Sequence, residues 1–239
     1  MYGPGAGRPG FDACTTGDGV ADSTVYRVNV ASLTVDQVIA VGPVPKFLAV
    51  TPDGRLLVVS NWCGDNVSIV DTASGQEIRR IAVGHNPRGL AITADSRAAY
   101  VAVMGGNRLA VIDLTTFATR TIGGIGGGPR HLNLSPDGRW LYVTLNLDGT
   151  VAKLDTITED VVARVATGNE PRSAALAADG ANLFVVNYES ASVSKIRTAD
   201  MTVVQAVGTA VHPIGIAYDD ETKELWVACY VGRILIFQD

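Results

Sequence analysis

Charge is sparse in this chain. Of 239 residues only 18% are Asp, Glu, Lys or Arg, which is low for the polar outer faces of a helical bundle. There is no basic excess either. Nineteen Lys and Arg stand against 24 Asp and Glu, for a net charge of −5. A nucleic-acid-binding domain normally carries a basic footprint, so that role is disfavoured. No run approaches the ~18 apolar residues of a membrane-spanning helix. The start, Met-Tyr-Gly-Pro-Gly-Ala-Gly-Arg, has no apolar signal core. Three Cys and three His make neither a disulfide framework nor a zinc-finger spacing. Nucleophile elbow, HExxH, Walker loop and dinucleotide fingerprint are all missing. The run Gly123–Gly128 leads into Pro129 rather than a helix, so it reads as a link and not a phosphate loop. Neither cofactor nor metal is expected.

What is plentiful is strand and turn material. Apolar residues make up 47% of the chain, with 26 Gly and 10 Pro. Val, Ile, Thr and Tyr recur throughout and favour strands over helices. They recur with a period. Pro45, Pro87, Pro129, Pro171 and Pro213 are each 42 residues apart. Gly42, Gly84, Gly126 and Gly168 keep that step, as do Asp53, Asp95, Asp137 and Asp179. Val59, Val101, Val143, Val185 and Val227 agree. In the first full copy the pattern predicts four short strands, near 47–51, 55–61, 67–71 and 77–83. Thr51-Pro52-Asp53-Gly54 forms the first hairpin, because Pro presets φ, Asp bonds its own backbone and Gly takes positive φ. Four antiparallel strands per ~40–45 residues make the blade of a β-propeller.

The expected fold is therefore all-β, a single β-propeller domain over 1–239, with 1–23 an irregular N-terminal segment or long top-face loop. Six blades fit the copy count best, and five or seven remain as alternatives. Leu141-Tyr142-Val143-Thr144, Ala99-Tyr100-Val101-Ala102 and Leu183-Phe184-Val185-Val186-Asn187 resemble the YVTN motif of bacterial YVTN-repeat propellers. That group is similar to lactonase-like propellers and to the haem-d1 domain of nitrite reductases. The resemblance spans roughly 24–239 and implies the fold. For activity it implies only a lactonase-like alternative, since the motif residues are scaffold.

Blade connectivity puts the blade-to-blade links and the loop between second and third strands at one end, the top. Lys46, Arg88, Arg130 and Arg172 share one repeat position there, with Ile214 in the fifth copy. Such a ring either binds an anion or is offset by neighbouring acids and carbonyls. His85, His131 and His212 all fall in or beside the links. His131 is the strongest candidate for a site, and in an enzyme it would be the catalytic residue. Asn133 stands where four other copies carry Ala, and a polar group there needs partners or bound water. Trp62, Tyr188 and Tyr230 share a top-loop position and could stack on a planar ligand or pack against the next blade. Cys14 and Cys63 lie in adjacent top loops and could form a disulfide, which would favour an extracytoplasmic site over the cytoplasm. Cys229 reads as a buried thiol.

The function expected is a non-catalytic, monomeric binding propeller. It would hold a small polar or anionic ligand, or a protein partner, at the top face. The alternatives are a lactonase-like hydrolase or lyase using His131 with Arg88 or Arg130, and single-stranded nucleic acid binding through the ring and the aromatics.

Overall fold

In a computed structural model, the described residues are Cys14 and residues 20–239. They form six antiparallel sheets in chain order. Sheet 1 has two strands, Ser23–Asn29 and Thr34–Val41. Sheet 2 has four, Pro45–Val50, Leu56–Asn61, Asn66–Asp71 and Gln76–Ala82. Sheet 3 comprises Pro87–Ile92, Ala98–Val103, Arg108–Asp113 and Thr119–Ile122. Sheet 4 comprises Pro129–Leu134, Trp140–Leu145, Thr150–Asp155 and Val161–Ala166. Sheet 5 comprises Pro171–Leu176, Asn182–Asn187, Ser192–Arg197 and Thr202–Gly208. Sheet 6 has three strands, Pro213–Asp219, Glu224–Cys229 and Arg233–Gln238. Each expected strand of the first full copy lies within two residues of its observed place. The architecture is that of a β-propeller. Most of the irregular N-terminal segment expected over 1–23 lies outside the described residues.

The first hairpin of sheets 2, 3 and 4 forms as its residue types dictate. Thr51, Thr93 and Ser135 donate their hydroxyls to Asp53, Asp95 and Asp137 at 2.6, 2.6 and 2.5 Å. The same carboxylates accept the amides of Arg55, Arg97 and Arg139 at 3.0 Å. These bonds, the hydroxyl first, hold all three Asp below the usual carboxylate range. A second repeated turn follows the third strand, where Asp71, Asp113 and Asp155 accept backbone amides two or three residues on.

The core is layered between sheets, because a lone four-stranded unit cannot cover both its faces. Leu109, Leu141, Leu145 and Leu154 are fully buried where sheets 3 and 4 meet. Val58, Ile69, Val101 and Ile112 fill the layer between sheets 2 and 3. Val151, Leu183 and Ile196 fill the next, and Phe184, Val193, Leu225 and Val227 the last. First strands of successive sheets touch one another, from sheet 2 through sheet 6, so the inner strands share an axis.

Sheet 1 supplies only outer strands. Val25, Ile39 and Val41 cover Leu57, Val59 and Val70 of sheet 2 but leave its inner strand bare. Leu48 is 51% exposed, whereas Leu90 and Leu132, at the same repeat position, are 3% exposed. The far face of sheet 6 shows the same contrast: Trp226 is 42% exposed and its counterpart Tyr142 is 3%. Sheets 1 and 6 do not pair with each other. Cys14 and Cys63 are bonded, with Cα atoms 5.1 Å apart and 49 residues of separation. In the chain-entropy model a loop of that length stabilises by about 4 kcal/mol, and the bond ties Cys14 to the top loop of sheet 2. Cys229 is a buried free thiol.

The repeat supplies its own control for burial. Leu132→Ala should cost about 2–4 kcal/mol in urea denaturation, as a buried truncation does. Leu48→Ala, the same change one face short of a neighbour, should cost under about 1 kcal/mol. Equal costs would contradict the uncovered inner face of sheet 2.

Candidate functional site: a cationic pocket on the propeller axis

The backbone at the top of each inner strand repeats one device. The residue before the strand's proline is left-handed in all five copies: Val44 (φ 55°), Asn86 (55°), Gly128 (65°), Glu170 (53°) and His212 (58°). Only one of them is Gly. For the others this conformation costs roughly 1–2 kcal/mol each, and proline further restricts its predecessor. A repeated hydrogen bond offsets that cost. The amides of Trp62, Met104, Asn146, Tyr188 and Tyr230 donate to those five carbonyls, in that order, at 2.9–3.2 Å. One residue past each proline the ladder breaks. Register shifts fall between Pro45 and Phe47, Pro87 and Leu90, Pro129 and His131, Pro171 and Ala174, and Pro213 and Gly215. Lys46, Arg88, Arg130, Arg172 and Ile214 occupy these bulges. A bulged residue leaves the ladder and re-aims its side chain.

The preceding sheet holds three of the five bulges in place. Ser60 donates its hydroxyl to the Arg88 carbonyl at 2.5 Å, and Thr144 to the Arg172 carbonyl at 2.8 Å. Ser173 does the same for Ile214 at 2.7 Å. The result is a pocket of about 210 Å³ lined by Lys46, Phe47, Arg88, Arg130, His131, Arg172, Ser173 and Ile214. The four cations read from the repeat therefore meet at one place.

Each guanidinium leans on the residue of the top loop. Arg88 lies over the Trp62 ring, 5.4 Å from its centroid. Arg130 points Nη1 at the Met104 sulfur, 3.9 Å away. Arg172 finds only the short Asn146 at the matching place and instead covers Tyr188 of its own sheet, 3.2 Å from the centroid. It also pairs with Glu170 at 3.0 Å. Arg130 is 8% exposed and has no ion-pair partner among the described residues. Burial first, then Arg88 and Arg172, press its pKa well below the ordinary arginine range. A guanidinium stays charged regardless, so this pressure is electrostatic stress at the pocket.

His131 shares that stress. Its ring sits edge-on to Phe47 at 5.3 Å. Desolvation, then Arg130 and Arg88, lower its pKa to about 4, so it is neutral at pH 7. Asn133, two residues deeper, does not line the pocket, and its Oδ1 is buried without a partner. The other histidines stand apart. His85 pairs with Asp65 at 3.2 Å, and His212 stacks on Tyr188 at 4.4 Å. Neither lines the pocket, so three converging imidazoles do not occur. Of the two readings of the aromatic set, Trp62 takes the packing one. Trp62 is 4% exposed, buried under Arg88, while Tyr188 and Tyr230 meet edge to face at 5.8 Å on the rim. Among the described residues no three His, Cys, Asp or Glu side chains are grouped to hold a metal.

Sequence reasoning missed Ser60, Thr144 and Ser173, because a hydroxyl in a strand looks like strand filler. Their spacing carried the signal, since Ser60 and Thr144 occupy one repeat position.

Comparison with known proteins agrees with the fold. A YNCE-like β-propeller model matches residues 57–147, and a cytochrome D1 haem domain model matches 128–228. The chain is a β-propeller, similar over these stretches to the YNCE-like and haem-d1 propellers. The fold is also similar to a chain of Kuenenia stuttgartiensis hydrazine synthase, with a TM-score of 0.65 and 21% identity over 90% of this chain and 89% of that one. At that identity the likeness shows the fold alone. A search of curated proteins gave no match. No helix among the described residues is long and apolar enough to cross a membrane.

Two measurements probe the propeller's pocket without any ligand. A Cβ at Gly128 would lie 2.8 Å from Leu147 Cγ and 3.1 Å from its amide nitrogen, at φ 65°. Gly128→Val should therefore cost about 2 kcal/mol or more, whereas Gly123→Ala, with nothing within 4 Å, should stay within about 0.5 kcal/mol. The second concerns pH. The folded pKa of His131 lies below the unfolded value of 6.5, so the unfolded chain binds the extra proton. Its contribution is complete above pH 6.5 and falls away towards pH 4, by roughly 3 kcal/mol at most. His131→Gln should flatten that part of the stability–pH curve; an unchanged slope would show that the imidazole is not held neutral.

Proposed function

We propose that this propeller is a non-catalytic binding module that holds a small, multiply charged anion in the axial pocket. The observation that carries the reading is Arg130: a buried guanidinium, flanked by Arg88 and Arg172, with no carboxylate in ion-pair reach among the described residues. An uncompensated buried charge costs several kcal/mol. An anion drawn from solution would offset that cost and relieve the repulsion among the guanidiniums. Lys46, Arg88, Arg130 and Arg172 would supply the charge and the N–H donors. The volume suits a phosphate, a sulfate or a small di- or tricarboxylate. The bound species would be fixed by the rigid inner strands rather than by a mobile loop.

The lactonase-like alternative assigns His131 as a general base. A histidine with a pKa of about 4 is a weak base at neutral pH, and among the described residues no carboxylate is hydrogen-bonded to its ring to orient it. Single-stranded nucleic acid binding would use exposed aromatics beside the cations, and Trp62 is covered. The Cys14–Cys63 bond supports an oxidising compartment for this binding role.

Calorimetric titration with inorganic phosphate and with citrate at low salt tests the reading. At least one should bind saturably, weaken as salt rises and exclude glycerol. Arg130→Met keeps the length and apolar contact of the side chain and should reduce affinity tenfold or more, and Arg88→Glu combined with Arg130→Glu should abolish it. Unchanged affinity in Arg130→Met would sink the assignment.

A further inference from the structure

The residue before the inner-strand proline is acidic in only one of the five copies. Val44, Asn86, Gly128 and His212 stand where sheet 5 has Glu170. The Glu170 carboxylate accepts Nη2–H of Arg172, two residues on, at 3.0 Å. No other copy has a carboxylate at this place to meet its bulge residue. The segment that carries Glu170 is pinned to the top loop of its own sheet. The amide of Asn169 donates to Ser190 Oγ at 2.7 Å, the Glu189 amide to the Asn169 carbonyl at 3.3 Å, and the Tyr188 amide to the Glu170 carbonyl at 3.0 Å. Pro171 follows and fixes its own φ.

With the backbone held on both sides, the carboxylate stays at the edge of the pocket, and its charge is felt beyond Arg172. It favours the charged guanidinium of Arg130, so it lies near enough to the pocket centre to act on a ligand there. The pair leaves Arg172 able to bind. A guanidinium carries five N–H donors. Here Nη2 goes to Glu170, while Nε is buried without a partner, and Arg172 remains part of the pocket wall. Glu170 therefore subtracts charge from the ring without taking Arg172 out of it.

We propose that Glu170 is a fixed counter-charge that sets the charge selectivity of the axial pocket, an inference that rests on the anion-binding reading above. An anion held by Lys46, Arg88, Arg130 and Arg172 also meets this carboxylate. The repulsion grows with each charge on the ligand. Glu170 thus narrows the advantage that a trianion has over a dianion at a ring of four cations. Selectivity is a difference of affinities, and a repulsive element sets it as readily as an attractive one.

The test is calorimetric titration at pH 8, where inorganic phosphate is a dianion and citrate a trianion, into the unsubstituted chain, Glu170→Gln and Glu170→Asn. Sheet 3 carries Asn86 at this place in the same left-handed conformation, φ 55° against 53°, so Glu170→Asn keeps the kink. Both variants should bind more tightly, by about threefold per unit of ligand charge, so that citrate gains more than phosphate. The gain should shrink as salt rises. Glu189→Gln removes an exposed acid from the top loop of the same sheet and should shift either affinity by less than about twofold. Saturable binding by the unsubstituted chain, with no gain or a loss in both Glu170 variants, would overturn the counter-charge and leave the anion-binding reading standing. An equal gain for phosphate and citrate would overturn it too, since Glu170 would then only compete for Arg172. So would an equal gain in Glu189→Gln. Binding by the Glu170 variants alone would uphold the counter-charge and sink the anion-binding reading for the unsubstituted chain. No binding by any of them would overturn both.

Discussion

The carbonyl before each inner-strand proline accepts a hydrogen bond from the top loop of its own sheet, and the geometry of the axial mouth depends on that bond. It holds five residues in the left-handed region, four of them without the freedom of glycine. With the kink in place, the next residue but one cannot join the ladder and is turned out as a bulge. Without the bond, Lys46, Arg88, Arg130 and Arg172 would be ordinary strand residues alternating between faces. With it, four bulges on four sheets aim at one place. The strain is local, and five separate layers of side chains hold it.

Packing and charge are arranged in opposite senses about the axis. Away from it, each sheet relies on its neighbour for burial, which is why Leu48 and Trp226, each lacking such a neighbour, stand exposed where their counterparts are buried. At the axis the same closeness brings like charges together. Arg88 and Arg172 gain some relief from Trp62 and Tyr188 through cation–π contact, and Arg172 from Glu170. Arg130 has a methionine sulfur, a poor acceptor. The site is thus built from an imbalance that the scaffold is rigid enough to sustain.

Much of this was legible in the residues. The 42-residue spacing of Pro, Asp and Val exposed the blades, and the hairpin chemistry of Thr51-Pro52-Asp53-Gly54 placed strand ends to within two residues. The convergence of the basic ring followed from connectivity alone. Three things were not legible. Bulges depend on backbone register, which side-chain spacing does not reveal. Trp62 is buried because Arg88 from the next sheet lies on it, a contact between residues 26 apart with no local sign. His85 and His212 share the top with His131, but a link several residues long can aim a side chain at the rim as well as at the axis. The disulfide between Cys14 and Cys63 was a geometric expectation, and it is present.

The account rests on anions being drawn to the centre of the inner strands, and crystallography can test this directly. Crystals soaked in selenate or tungstate, with data collected at the anomalous edge, would locate the ion without reference to affinity. The account predicts a single dominant peak within hydrogen-bond distance of Arg130 and of at least one of Arg88 and Arg172. Peaks confined to surface lysines and arginines, with no density on the axis, would contradict it.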